Sequence, residues 1–410
     1  MGADACTNCK KSFEDKEEVF SHQTTQIQNS TNREDSQKFQ KLFNSKINEL
    51  GQTITKNEFL NSIDDETKNY IQQNVFNKEQ YAPTNDTISY EMGPVEFKNG
   101  NIYEGNWNEK LEMHGYGKYL LKNDKVFVEG YWDKGILKKG RIFLPNGDIY
   151  EGDIENNEYN GKGKYYDKVE DSIYEGSFIK GERNKNGVII FHDGSIYEGN
   201  LIDDDVPNGK GKFKWIDSSN QKNDSPINYF NFSRNTPFNN DNYILSYEGD
   251  FENGVIEGNG ILKNEETGSE YKGGFKNNVF DGKGVFKWGK NGIIKYDGEY
   301  KNGKKNGNGT YSTAQMKYSG NWNEGKPHGL GLINKNNKIF KCSWRNGFTV
   351  ESPSIQDSDD YVTYDNLDLN FKPEKEDIDF TQMKHLKNNS KKGNNLIVQQ
   401  SIMKRLLNFI

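Results

Sequence analysis

The sequence predicts a mainly β protein: an elongated, single-layer twisted ribbon of consecutive antiparallel β-hairpins, with a small N-terminal helical region and a C-terminal helical tail. Three observations carry this. First, a unit of Tyr-acidic-Gly-x-aromatic followed by Gly-x-Gly-x-aromatic recurs, opening at Tyr103, Val128, Tyr150, Tyr174, Tyr197, Tyr247, Tyr271, Tyr296, Tyr318 and Phe340. The successive spacings are 25, 22, 24, 23, 50, 24, 25, 22 and 22 residues, and self-similarity at a short fixed period marks an array of stacked units. Second, the unit alternates with period two, the strand period. Third, only 32% of residues are apolar while aromatics reach 13% and glycine numbers 42. That balance implies a thin core of flat rings over bare backbone, not a thick aliphatic interior.

The regular copies set Tyr103, Gly105 and Trp107 against Gly115 and Gly117, and Tyr150 and Gly152 against Gly161 and Gly163. Tyr197 and Gly199 go with Gly209 and Gly211, Tyr247 and Gly249 with Gly258 and Gly260, and Tyr271 and Gly273 with Gly282 and Gly284. Tyr296 and Gly298 go with Gly307 and Gly309, and Tyr318, Gly320 and Trp322 with Gly329 and Gly331. Two copies depart from the pattern. Val128 replaces the opening Tyr and is followed by Gly140 alone; Tyr174 and Gly176 are followed by Gly187 alone. These should be the least regular.

In a strand, Tyr150, Gly152 and Ile154 point one way and Glu151 and Asp153 the other. Likewise Gly161, Gly163 and Tyr165 share a face, with lysines opposite. Each unit is therefore a hairpin with an aromatic-and-glycine face and a charged face. Asn253-Gly254 and Asn302-Gly303 join the two strands, and Asn99-Gly100, Asn146-Gly147 and Asp193-Gly194 precede openings; these are strong hairpin signals, because type I′ turns need positive φ. Glycine weakens a strand, so its presence should let an aromatic ring from a neighbouring strand lie flat on the main chain. At about 4.8 Å per strand, ten hairpins would make a ribbon on the order of 90–100 Å long.

The flanks differ in character. Residues 1–32 are polar, and open Met1-Gly2-Ala3-Asp4-Ala5-Cys6 with Cys9 following. Three readings stand. Gly2 with Cys6 and Cys9 fits dual acylation as a lipid anchor. Cys6, Cys9 and His22 have the spacing of a zinc finger, but Gln26 stands near where the fourth ligand belongs and tetrahedral zinc wants four. The third is an incidental pair of thiols. Residues 33–82 form a helical element: Phe39, Leu42, Phe43, Ile47 and Leu50 share one face up to Gly51, Thr55-x-x-Glu58 is a capping box opening a second helix, and Tyr70, Ile71, Val75 and Phe76 mark a third. The spacing has an EF-hand outline, but Ile47 and Gln52 occupy a ligand and the loop-glycine position, which excludes calcium. Residues 90–350 are the array, with Val95–Phe97 as its terminal capping strand and a loop insertion at 216–246 whose length leaves room for a decayed repeat. An acidic linker spans 351–381, and 382–410 holds a basic amphipathic helix with Ile402, Met403, Leu406, Leu407 and Ile410 on one face.

Net charge is −7 with three cysteines, which argues against nucleic acid as a partner and for a reducing, cytoplasmic setting. No long apolar run is present, so no transmembrane span is expected.

The recurring YEGxW…GxG units, seen at Tyr103–Trp107 with Gly115-x-Gly117 and at Tyr318–Trp322 with Gly329-x-Gly331, resemble MORN (membrane occupation and recognition nexus) repeats. The resemblance implies a β-hairpin ribbon and scaffolding at membranes, cytoskeleton or cilia. MORN arrays also precede phosphoinositide kinase and SET-type methyltransferase domains, but the flanks here are short and hold neither GxxxxGK[ST] nor a His-Arg-Asp loop. His114 and His328 sit beside a Gly-x-Gly as turn-adjacent polar groups, and the acidic residues read as a solvated face. The expectation is therefore no enzyme, no catalytic residues, no cofactor and no metal. The expected role is a scaffold that docks other proteins, in the axoneme of a cilium or the cortical cytoskeleton, another MORN protein among the candidates. The alternative is a peripheral membrane adaptor held by the acylated N-terminus and basic tail on anionic or phosphoinositide lipids.

Overall fold

A computed structural model describes residues 33–74, 76, 78, 88–202, 205–216, 243–350 and 354–355. Gly2, Cys6, Cys9 and His22, the 217–242 stretch of the insertion, the linker beyond Ile355 and the tail helix lie outside the described residues. The described chain is mainly β, with three helices, and its strands run antiparallel in sequence order in an open, unclosed sheet. It divides into two compact units. One holds the chain up to Pro145 with Glu151–Asn157, the other Asn146–Tyr150 and the chain from Glu158.

In the first unit, α1 (Arg33–Leu50) buries Phe39, Phe43 and Ile47, the stripe its periodicity marks. Gly51 does more than end it. It opens β1 (Gly51–Thr53), which pairs with β2 (Tyr90–Phe97), so the terminal strand comes from the helical region and Val95–Phe97 is an inner strand. Thr55 and Glu58 form the reciprocal capping box that starts α2 (Lys56–Ser62), and Asp64 caps α3 (Asp65–Gln73). Strands β3 (Ile102–Trp107), β4 (Met113–Leu121), β5 (Val126–Asp133) and β6 (Ile136–Phe143) follow as a meander. The helices straddle this end of the sheet. Phe39 stacks on Tyr90 at 4.1 Å and Phe43 meets Trp107 on the tyrosine face, while Phe59 packs on Phe127 and Tyr70 on Phe143 on the opposite face. Rings cover both faces of this end, and its edge strand β1 is only three residues long, which blunts the edge.

The second unit runs from β8 (Glu158–Asp167) and β9 (Ser172–Ile179) through β21 (Lys338–Arg345), with the two-residue strands β22 (Phe348–Thr349) and β23 (Ser354–Ile355) on β21. β12 (Val206–Ile216) pairs directly with β13 (Tyr243–Glu252), Gly211 opposite Gly249, so these two strands are neighbours in the sheet across the 50-residue gap. The turns predicted within units are type I′: Asn253 and Gly254 have φ of 49° and 80°, Asn302 and Gly303 49° and 80°. Those preceding openings differ. Only the glycine is left-handed, at 81° for Gly194, while the Asp193 side chain accepts from the Ser195 amide.

The ring from a neighbouring strand does lie over the bare backbone, and it covers a glycine of its own strand as well. In β15 (Glu270–Lys276), Tyr271 leans along its own strand over Gly273 and over Gly284 of β16 (Val279–Trp288), which pair with each other. A Cβ on Gly284 would lie 2.3 Å from the Tyr271 hydroxyl oxygen. Beyond that pair the register shifts, because Phe275 pairs with Phe280 and three residues, Asp281–Lys283, face Gly274 alone. Gly282 sits in this bulge at φ 88°. The carbonyl of Gly274, which has no β16 partner in this register, accepts the Tyr271 hydroxyl at 2.9 Å. The same bond runs from Tyr103 to Asn106, Tyr197 to Asn200, Tyr247 to Asp250, Tyr296 to Glu299 and Tyr318 to Asn321. The two glycines of Gly-x-Gly thus have separate jobs: the first turns the bulge, the second clears space for the ring.

Candidate interaction surface

In both units the tyrosines form the buried face. Tyr103, Tyr150, Tyr197, Tyr271, Tyr296 and Tyr318 are wholly inaccessible to solvent. Tyr271 stacks on Phe280 at 3.7 Å and takes Phe275 and Tyr300 edge-on at 5.1 and 5.2 Å. Burial pushes the hydroxyl pKa values of Tyr103, Tyr197, Tyr247, Tyr271 and Tyr318 above the ordinary tyrosine range. These side chains are architecture, out of reach of a ligand.

The opposite face differs between the units. In the first it is covered, and the acidic residues there are not the solvated face that the alternation implies. Glu129 and Arg141 are each 2% exposed. The Arg141 guanidinium pairs with Glu129 at 3.6 Å and Glu151 at 2.5 Å, donates to the Asn74 carbonyl at 2.9 Å, and lies against the rings of Tyr70 and Phe76. Burial pushes the Glu129 carboxyl up, against the pull of Arg141. This cluster occupies the irregular copy opened by Val128. The departure from the repeat is where the α3 end of the helical region docks, a use that the missing Tyr and Gly alone did not disclose.

In the second unit the same face is open among the described residues. Here a groove of about 1040 Å³ runs over β11 (Ile196–Ile202) to β17 (Ile294–Lys301). Its floor is the backbone of Gly211, Gly249, Gly260, Gly273 and Gly284, and its walls carry Lys212, Glu248, Ile261, Lys272, Val285 and Asp297. The ladder sets these walls side by side: Lys212 opposes Glu248, Glu248 opposes Ile261, Ile261 opposes Lys272 and Val285 opposes Asp297. Lys212 and Glu248 pair at 3.3 Å. Lys210 holds Asp250 at 2.5 Å, and its hydrogen bond keeps the Asp250 carboxyl below the usual range. Narrow glycine floor, charged walls and apolar steps suit an extended chain or a flat surface, and offer no enclosed cavity for a small substrate.

No group of His, Cys, Asp and Glu among the described residues could hold a metal. His114 is nearly buried, 3.3 Å from Asp133, and His328 accepts from the Asn346 amide at 3.4 Å, both near the start of a strand. Cys342 is buried in the place of a repeat glycine, its thiol pushed up to about 11 by burial. No described helix is long and apolar enough to cross a membrane.

An open array of antiparallel hairpins, one face packed with rings and one displayed, defines a repeat-type binding module. The MORN repeat model matches residues 103–125, 150–168, 174–196, 197–219, 247–264, 271–293, 296–314 and 318–333, and the chain is a MORN-repeat protein. The copy at 126–149 is unmatched, in keeping with its different bulge, in which Gly130 pairs with Gly140 but Trp132 with Leu137. The copy opened by Tyr174 is matched and keeps the regular bulge without its first glycine, with Gly176 opposite Gly187 and Phe178 opposite Arg183. Comparison with curated proteins gave no match. MORN repeats are in general a non-enzymatic module for binding proteins or membranes.

Proposed function

We propose that the chain is a non-catalytic scaffold whose second unit docks an extended segment of a partner protein, in the cytoskeleton, with the ciliary axoneme and cell cortex as its sites. The observation that carries this reading is the open face from β11 to β17. Its rows of Lys, Glu, Ile and Val side chains, held in cross-strand register over a backbone floor, can read side chains at strand spacing. In the first unit the helical region covers the corresponding face, which leaves the second unit as the one that displays it.

The test is retention of the tagged full chain in a detergent-extracted cytoskeletal fraction at moderate salt. Val285→Glu and Ile261→Glu, both on the open face, should release it while leaving the thermal transition in place. Release of the wild type by detergent alone would refute the reading.

A second reading rests on Met1-Gly2 with Cys6 and Cys9: a peripheral membrane adaptor anchored by acylation. Metabolic labelling with a myristate analogue checks it. Label abolished by Gly2→Ala supports the anchor, and no label on the wild type sinks it.

A further inference from the structure

The charge of the array is unevenly distributed. Between Glu270 and Val350 stand fifteen lysines and arginines against five acidic residues, in a chain whose net charge is −7. The sheet register gathers many of these cations on the open face. Lys287 opposes Lys295, which opposes Ser312, which opposes Lys317, one row across four strands. A second row runs from Lys272 through Val285, Asp297, Thr310, Ser319 and Leu332 to Lys341. Lys272, Lys317 and Lys341 make no ion pair among the described residues. Apolar side chains stand among them in water: Leu330 is 60% exposed, Leu332 38% and Val350 48%. A face that is both basic and apolar is unfinished by its own sheet.

The complement follows directly in the chain. Glu351 to Asp379 holds ten acidic residues against Lys372 and Lys375, and within it Leu367, Leu369 and Phe371 alternate with Asn366, Asp368 and Asn370. β23 ends at Ile355, with Ser354 paired to Lys341, so this segment leaves the sheet beside one end of the lysine row. From β21 to β15 is six strand steps, about 29 Å, a span that about nine extended residues cover. A tethered segment of opposite charge acts at an effective concentration in the millimolar range.

We propose that residues 356–380 dock on the basic face of β15–β21 and cover it, carboxylates on the lysine rows and Leu367, Leu369 and Phe371 against Leu330, Leu332 and Val350. The segment is then a built-in competitor that an acidic, apolar partner must displace. This goes beyond the partner-docking reading and fails independently of it.

Zero-length carbodiimide coupling of the full chain, mixed with an isotope-labelled copy, tests the contact. The expected products are links within one chain from carboxylates in 357–379 to Lys272, Lys287, Lys317 or Lys341, lost at high salt. Links only between chains would assign the face to a second copy, and links only to the lysines of 384–404, or none, would remove the segment from the face; either overturns the proposal. A second measurement uses a full-length variant with the ten acidic residues replaced by Asn and Gln. A labelled peptide of residues 356–380 should bind this variant at least tenfold more tightly than the wild type. Equal binding to both refutes the proposal. Equal binding with wild-type sedimentation on phosphatidylserine vesicles would give the face to a membrane instead.

Discussion

Gly282 and Gly284 look alike in the sequence and should fail for different reasons. A methyl group on Gly284 meets the Tyr271 hydroxyl oxygen at 2.3 Å and its ring carbons Cε2 and Cζ at 2.5 Å. The ring has no room to retreat, being wholly buried, stacked on Phe280 and flanked edge-on by Phe275 and Tyr300. Forcing a methyl into such packing costs about 1–3 kcal/mol, and losing the hydroxyl bond to the Gly274 carbonyl adds about 1 kcal/mol. Gly284→Ala should therefore destabilise β15–β16 by about 2–4 kcal/mol. A methyl group on Gly282 meets nothing within 4 Å, but φ is 88°, and the left-handed region costs a side chain about 1–2 kcal/mol. Asn tolerates that region, so Gly282→Asn should recover most of the loss and Gly284→Asn none. Native-state hydrogen exchange of the β15 and β16 amides reads the local effect, since neighbouring repeats can mask it in a global melt. Adding Tyr271→Leu should relieve Gly284→Ala and leave Gly282→Ala unchanged. Equal losses at both glycines, both relieved by Asn, would refute the division of labour.

Tyr271→Phe keeps the ring and strands the Gly274 carbonyl, so it should cost about 1 kcal/mol, whereas Tyr271→Ala should cost about 3–5 kcal/mol; exchange at the same amides separates them. The array should unfold steeply in alkali. Each tyrosine raised by burial keeps its stabilising contribution below the unfolded value near pH 10 and loses about 1.4 kcal/mol per pH unit as pH climbs from there toward its folded value. Circular dichroism together with phenolate absorbance follows this, and titration without unfolding would contradict the burial. Arg141→Met should destabilise the first unit by about 3–5 kcal/mol by leaving Glu129 buried without its cation. Adding Glu129→Gln should restore part of that in a urea melt, and additive losses would show that the pair does not act as one.

Much of the fold was legible beforehand, because the unit is written in residues whose conformational demands are local. The alternation of Tyr150 and Glu151 fixes which faces they take in any strand, Asn253-Gly254 fixes a type I′ turn, and Thr55 with Glu58 fixes a helix start. None of these needs a distant partner. The candidate surface was legible only as a charged face; that Glu129 and Arg141 are buried on it while Lys272 and Lys341 stand in water was not.

The sequence by itself determined the repeat, its hairpins and the family, since a period-two pattern recurring at about 22 to 25 residues has few other solutions. Tertiary structure alone decided three things. It laid the tyrosines along their own strands, because the bulge in the paired strand brings a carbonyl within reach of the hydroxyl. It made β1 the terminal strand, because the helices dock on both faces and carry Gly51–Thr53 to the edge. And it gathered Lys272, Lys287, Lys317 and Lys341, spread over seventy residues, into adjoining rows, because cross-strand register joins positions that chain order keeps apart.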